Sequence, residues 1–257
     1  MILAEPPPTR GDIHFRVAGT PVRIHPFFWI TTTILGLGGG GPTPPVEILG
    51  WIVAVFVSIL IHEMGHAVAQ RHYGGHPRIT LYGMGGLASC EDCDRSSRAQ
   101  ILISLAGPFA GFTFAALILV VIRVIGNRAG VSAVDVSKLE AEGLISLPIL
   151  GITFYWERFA SFAVNFMVWQ LLWINVLWGA VNLLPIYPLD GGQVSREVCL
   201  LGQPQRGMIL SLQISMFAAA AMVIVGLSWG SLFVSIFFGY LAYTSYRTLK
   251  AYQANLW

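Results

Sequence analysis

Six apolar runs, each closed by Pro, Gly or charge, set the outline of this chain. They cover residues 27–37, 47–73, 99–125, 166–184, 207–225 and 232–246. A bilayer core takes about 20 helical residues to cross, and the runs predict about six spans. The first run is short and Thr-rich and is closed by 38–42; a tilted or partly interfacial helix suits it equally. Between the runs the period changes. Residues 13–24 (IHFRVAGTPVRI) alternate loosely around a central Gly-Thr-Pro, which predicts a short β-hairpin at the membrane surface. Residues 79–88 (ITLYGMGGLA) predict an extended or re-entrant segment. Irregular backbone at membrane depth is tolerated only where protein buries it or water reaches it. Residues 144–156, inside the long connection 127–162, are apolar but too short to span and are read as an interfacial or re-entrant piece. Residues 90–98 and 193–206 are read as polar loops, and 1–10, with Pro6-Pro7-Pro8, as a disordered tail. The predicted fold class is an all-α polytopic membrane protein with a short β or re-entrant segment between its second and third spans.

Composition strengthens that outline. The chain of 257 residues is 55% hydrophobic and 11% charged, with a mean hydropathy of +0.67; soluble domains carry about 25% charge. A formal net charge of +2 with no dense Lys/Arg patch excludes a dedicated nucleic-acid surface. With six spans and a cytoplasmic N-terminus, 11 of the 15 Lys and Arg fall in cytoplasmic segments. The exceptions are Arg123, Arg128, Lys138 and Arg158. That bias predicts both termini inside a cell membrane. Residues 1–25 are Pro-rich with scattered charge and are not read as a signal peptide. Cys90, Cys93 and Cys199 are too few for a disulfide framework. The Cys90-Glu91-Asp92-Cys93 motif lacks a second CxxC or a downstream His pair, so it is read as part of the polar loop, with metal binding or redox cycling as the alternative.

The chemistry concentrates in the second run, at Ser58-Ile-Leu-Ile-His62-Glu63-Met-Gly-His66. His residues four apart stand one above the other on a helix face. Two imidazoles so placed can share a zinc ion, and Glu63 beside them can take a proton from an activated water. Ionisable residues in such an apolar helix are functional candidates. A lone HxxxH is otherwise a satisfied polar pair, and a third ligand is what distinguishes the cases. Of the 13 Asp and Glu, only Glu63 and Asp190 sit deep in strongly apolar sequence. Asp190 follows a helix broken by Pro185, Pro188 and the Gly191-Gly192 pair, and metal coordination offsets the cost of burying it. His14, His25, His72 and His76 lie at run ends or before the first span, where surface or headgroup contact suits them better.

With His62-Glu63-Met64-Gly65-His66 followed far downstream by Asn182-Leu-Leu-Pro185-x-x-Pro188-Leu-Asp190-Gly-Gly, the sequence resembles the site-2 protease family of intramembrane zinc metalloproteases. The Ala106-Gly107-Pro108 and Gly85-Gly86 elements are also similar. The resemblance spans about residues 13–250. It implies Zn2+ held by His62, His66 and Asp190, Glu63 as general base, and Asn182 holding substrate or the developing oxyanion. It also implies cleavage of a single-span membrane protein, such as a tethered transcription regulator or a signal-peptide remnant, within or next to its transmembrane segment. The organisation expected is an N-terminal tail and surface hairpin over 1–26 and a membrane-embedded protease core over 27–250, with no room for a PDZ or CBS domain. An unwound substrate strand would pair with the edge of 79–88, to be tested with prolines at Thr80 and Tyr82. The competing readings are a membrane zinc carrier or transporter and a silent scaffold. Neither needs a base beside the His pair, so the intact Glu63 favours the enzyme.

Overall fold

The computed structural model describes residues 5–37, 44–133, 138 and 142–254. The 38–42 closure of the first run, the start of the tail and part of the 127–162 connection lie outside these residues.

The long apolar runs become helices because backbone polar groups inside a bilayer must be satisfied within their own segment. They are α1 (Pro26–Leu37), α2 (Pro45–His72), α3 (Ser97–Val124), α4 (Phe162–Asn182), α6 (Gly207–Ser228) and α7 (Leu232–Ala254). Local chemistry sets their ends. Pro45 opens α2, where its missing N–H costs nothing. Ser96 and Ser161 cap α3 and α4 by accepting from the N–H groups of Ala99 and Val164. Among the described residues, α2, α3, α4 and α6 are long and apolar enough to cross a membrane, and the chain is a multi-pass membrane protein. Their outward faces carry Val53, Val68, Leu102, Phe109, Leu117, Phe217 and Ile224, all exposed as lipid contact requires. Helix α1, with 12 residues, is shorter; α7 matches the others in length but not in apolarity. Small residues let α2 and α3 touch. A Cβ at Gly65 would stand 2.7 Å from Ala110 Cβ and 2.9 Å from the carbonyl carbon of Ala106.

Two corrections concern the loops. Residues 193–206, read as a loop, lie mostly in an amphipathic helix, α5 (Asp190–Gly202). Its composition is polar because only one face meets the bundle. Gly191 and Gly192 do not break it: they let its first turn lie against the 183–187 backbone, where a Cβ at Gly192 would come 2.5 Å from Tyr187 N. The second correction is a three-stranded antiparallel sheet where 144–156 was read as an interfacial piece. It contains β5 (Ala129–Ser132), β6 (Leu144–Ile149) and β7 (Ile152–Glu157), in the order β5-β7-β6. Leu150 and Gly151, both at positive φ, make its two-residue turn. Trp156, with no exposed surface, packs this sheet onto the C-terminal end of α3 and the N-terminal half of α4.

The other sheet frames the motif helix. The predicted N-terminal hairpin forms as β1 (Ile13–Val17) and β2 (Thr20–Ile24), and residues 79–88 form a second hairpin, β3 (Arg78–Tyr82) and β4 (Gly85–Ser89). The two join through a parallel β2–β3 pairing, giving the order β1-β2-β3-β4. Arg71, at the end of α2, ties the sheet down with bonds to Ala18 O and Thr20 Oγ1, both 2.7 Å. Strand β4 is therefore the outer strand on the α2 side. Just beyond it, Cys90 and Cys93 are joined as a disulfide.

Candidate active site

Helix α2 carries a polar stripe at every fourth position: Ser58, His62, His66 and Gln70, all buried. A 3.6-residue period stacks these on one face. His62 and His66 Nε2 lie 3.2 Å apart with the rings nearly perpendicular, at 78°. Asp190, on the first turn of α5, completes the group. Its Oδ2 is 3.1 Å from His62 Nε2 and its Oδ1 is 3.3 Å from His66 Nε2. The fold thus brings the three sequence-predicted ligands together across 128 residues of chain.

The donor set fits a tetrahedral cation. Ligand atoms at about 2.0–2.1 Å from zinc are separated by about 3.3 Å along a tetrahedron edge; the two Nε2 atoms are 3.2 Å apart, and Asp190 meets His62 through Oδ2 at 3.1 Å and His66 through its other oxygen, Oδ1, at 3.3 Å. His66 is oriented from behind: its Nδ1–H donates to Ile103 O at 2.7 Å, which leaves the Nε2 lone pair for the centre. Three lone pairs converging in a buried pocket are stable only around a positive charge. Space is also reserved, since a Cβ on Gly107 of α3 would fall on the His66 ring and stand 2.8 Å from His62 Nε2.

Glu63 is 6% exposed and faces β4, where a Cβ on Gly86 would lie 2.5 Å from Glu63 Oε1. The approach of this carboxylate to the strand explains why glycine stands there. Strand polarity follows from one bond: His25 N–H donates to Leu81 O at 2.8 Å, so Leu81 faces β2. By alternation Thr80 and Tyr82 face β4, and in β4 the backbone groups of Gly86 and Ala88 point away from β3. Gln70 takes Ala88 O at 3.1 Å. The edge open to a partner strand is thus β4 around Gly86. That edge lies within the expected segment 79–88, but prolines at Thr80 and Tyr82 would unpair the hairpin itself and do not test it. Burial, then the carboxylates of Glu63 and Glu5, push the Tyr82 phenol above its usual range, so it remains a neutral hydroxyl.

Asn182, the last residue of α4, is not drawn into the His–Asp group; its amide donates to Trp178 O at 3.0 Å within its own helix. The Trp178 ring lies against β4, 3.5 Å from where a Gly85 Cβ would be. Sequence reasoning passed over Asn175. Its amide donates to Ser58 Oγ at 2.8 Å and to Leu171 O at 2.8 Å, fixing α4 to α2 one turn below His62. The available signal was an amide inside an apolar run, paired with Ser58, the single polar residue of 51–61.

Fold and site together define a polytopic membrane protein with a His-His-Asp group able to hold a metal beside a buried carboxylate. Residues 50–227 match the profile of peptidase family M50, and the chain belongs to that family. A zinc metalloprotease of Methanocaldococcus jannaschii is 23% identical over 224 residues, covering 86% of this chain and 54% of that protein. Stage IV sporulation protein FB of Bacillus subtilis is 26% identical over 177 residues, covering 67% and 46%. The chain therefore spans about half the length of the curated relatives it matches. A solved site-2 protease from Methanocaldococcus jannaschii shares the fold, with a TM-score of 0.57 at 19% identity over 93% of this chain and 95% of that one.

Proposed function

We propose that this chain is an intramembrane zinc metalloprotease that hydrolyses a peptide bond within or next to the transmembrane segment of a single-span membrane protein, as in regulated intramembrane proteolysis. The observation that carries the reading is the convergence of His62, His66 and Asp190 at 3.1–3.3 Å, with Glu63 buried beside them. When bound by these three residues, zinc supplies Lewis acidity, polarising a carbonyl and making water acidic near neutral pH. Glu63 takes the proton of the attacking water and returns it to the leaving amine. Asn182 helps hold substrate or the developing oxyanion at the α4 end of the hairpin. The six helices α1, α2, α3, α4, α6 and α7 all enter the bilayer, with the Arg71 end of α2 and both termini cytoplasmic. Residues 27–250 form the membrane-embedded core.

Incubating the detergent-purified chain with a reconstituted single-span protein tests this reading. Cleavage is expected to stop on chelation and to return with about one equivalent of zinc; cleavage undiminished by complete metal removal would overturn it. Gly107→Ala should weaken zinc binding at least about tenfold, a loss typical of disturbed ligand orientation, as measured by competition with a chromogenic chelator. Unchanged affinity would mean that the Gly107 contact does not constrain the ligands.

A helical substrate hides its carbonyls in its own hydrogen bonds, so the scissile segment unwinds and adds to β4 around Gly86. A photo-crosslinking side chain at Met84, exposed at the hairpin tip, should capture substrate, whereas the same group at Ile152 in the other sheet should not. Equal capture at both positions would sink the edge-addition model.

A further inference from the structure

A second group of ligating side chains lies where α2 ends and the hairpin returns. Past His72 the chain turns through Gly74, at φ +81°, and Gly75 into β3, while Cys90 to Cys93 follow β4 directly. The two sulfurs and the Asp92 carboxylate lie within 4.8 Å of one another. His76 fixes that carboxylate: its backbone N–H donates to Oδ1 at 2.9 Å and its ring Nδ1 meets Oδ2 at 2.5 Å. Gly75 leaves the room, since a Cβ there would fall on both sulfurs. Cys93 is buried, whereas the Asp92 side chain is 51% exposed, so the group opens to solvent on one side.

We propose that reduction of the Cys90–Cys93 disulfide opens a second metal site, which takes one thiophilic divalent cation of the zinc class on the two thiolates and Asp92. A dithiol reductant supplies two electrons and two protons, becoming a disulfide itself and leaving two thiols. Cation binding displaces both thiol protons. The C-x-x-C spacing lets two thiolates reach one metal, and the exposed side leaves a fourth position for water. His76 is a positioning residue, holding Asp92 as histidine–carboxylate pairs do around metals. Disulfide and metal exclude each other, because the S–S bond uses both sulfur donors.

The location gives the site a consequence. Gln70 O, in the last turns of α2, accepts from Gly75 N–H at 3.1 Å and lies 3.6 Å from Cys93 Sγ. The same Gln70 side chain holds β4 at Ala88. Redox and metal state thus act on the joint between the motif helix and the strand facing Glu63. With the Arg71 end of α2 cytoplasmic, the reducing compartment favours the dithiol and hence the metal-bound form.

Cobalt(II) is the probe, because its thiolate charge-transfer band in the near ultraviolet cannot come from the sulfur-free His62–His66–Asp190 group. The detergent-purified chain, reduced with a phosphine and stripped of metal, is titrated anaerobically. Wild type and Cys199→Ser should each develop the band, complete by two equivalents of cobalt because the His62–His66–Asp190 group takes the other ion. Cys90→Ser, Cys93→Ser and the oxidised chain should not. His76→Ala should weaken binding about ten- to a hundredfold, and His76→Asn, which keeps a donor toward Asp92, should recover most of it. No band in folded, reduced wild type, or a band that survives Cys90→Ser, would overturn the proposal. Since the readout is blind to the His62 site, failure of this proposal and failure of the protease reading remain distinguishable.

Discussion

Glu63→Gln is expected to lower peptide-bond cleavage by about 10²–10⁴-fold, the range that general acid–base catalysis supplies, while zinc content stays at the wild-type level. Glutamine keeps the volume that fits against Gly86 but cannot accept a proton. Glu63 is also not one of the three converging ligands, so removing its charge leaves the donor triangle intact. The two measurements are zinc per chain by elemental analysis and cleavage of a reconstituted membrane substrate by gel. Wild-type cleavage in the variant would remove Glu63 from the reaction. A carrier or a silent scaffold predicts no cost from this substitution, so the same experiment separates the enzyme from both competitors. The inactive, zinc-loaded variant is also the form with which to trap substrates.

Asp190→Ala should have the opposite signature, with zinc falling well below one per chain and cleavage lost along with it. Only His62 and His66 remain in that variant, and a structural zinc site closes with four ligands while a catalytic one needs three plus an open position. Stability should respond as well. A cation that binds only the folded chain stabilises it by about 2.7 kcal/mol at one hundred times its Kd. The zinc-dependent rise in Tm seen for wild type should therefore vanish in Asp190→Ala. Retention of a full equivalent of zinc by this variant would exclude Asp190 as a ligand, and the site would need a different third donor.

The parts of this architecture that were legible in the sequence are those decided by nearby residues. Apolar runs gave the helices, and the Gly-Thr-Pro of residues 13–24 gave the first hairpin. The HExxH spacing gave the His pair, and the burial cost of a carboxylate singled out Asp190. What stayed hidden depends on partners remote in the chain. The parallel β2–β3 pairing forms only once α1 and α2 have carried the chain out and back, and no local pattern announces it. Helix α5 reads as a loop because its polar face outweighs the buried stripe that includes Glu197. The β6–β7 hairpin reads as an apolar piece because Trp156 and Leu147 point into a core built by other elements. Asn175 is similar: nothing in its own helix reveals that Ser58, 117 residues earlier, waits for its amide.

The 128-residue gap between His62 and Asp190 also has a meaning in time. At synthesis rates of about 5–20 residues per second, Asp190 leaves the ribosome roughly 6–26 s after His62. Throughout that interval the nascent chain carries Glu63 and the two imidazoles but not Asp190. Order of emergence then leaves the His–His–Asp group incomplete until α5 folds back and brings Asp190 to His62 and His66.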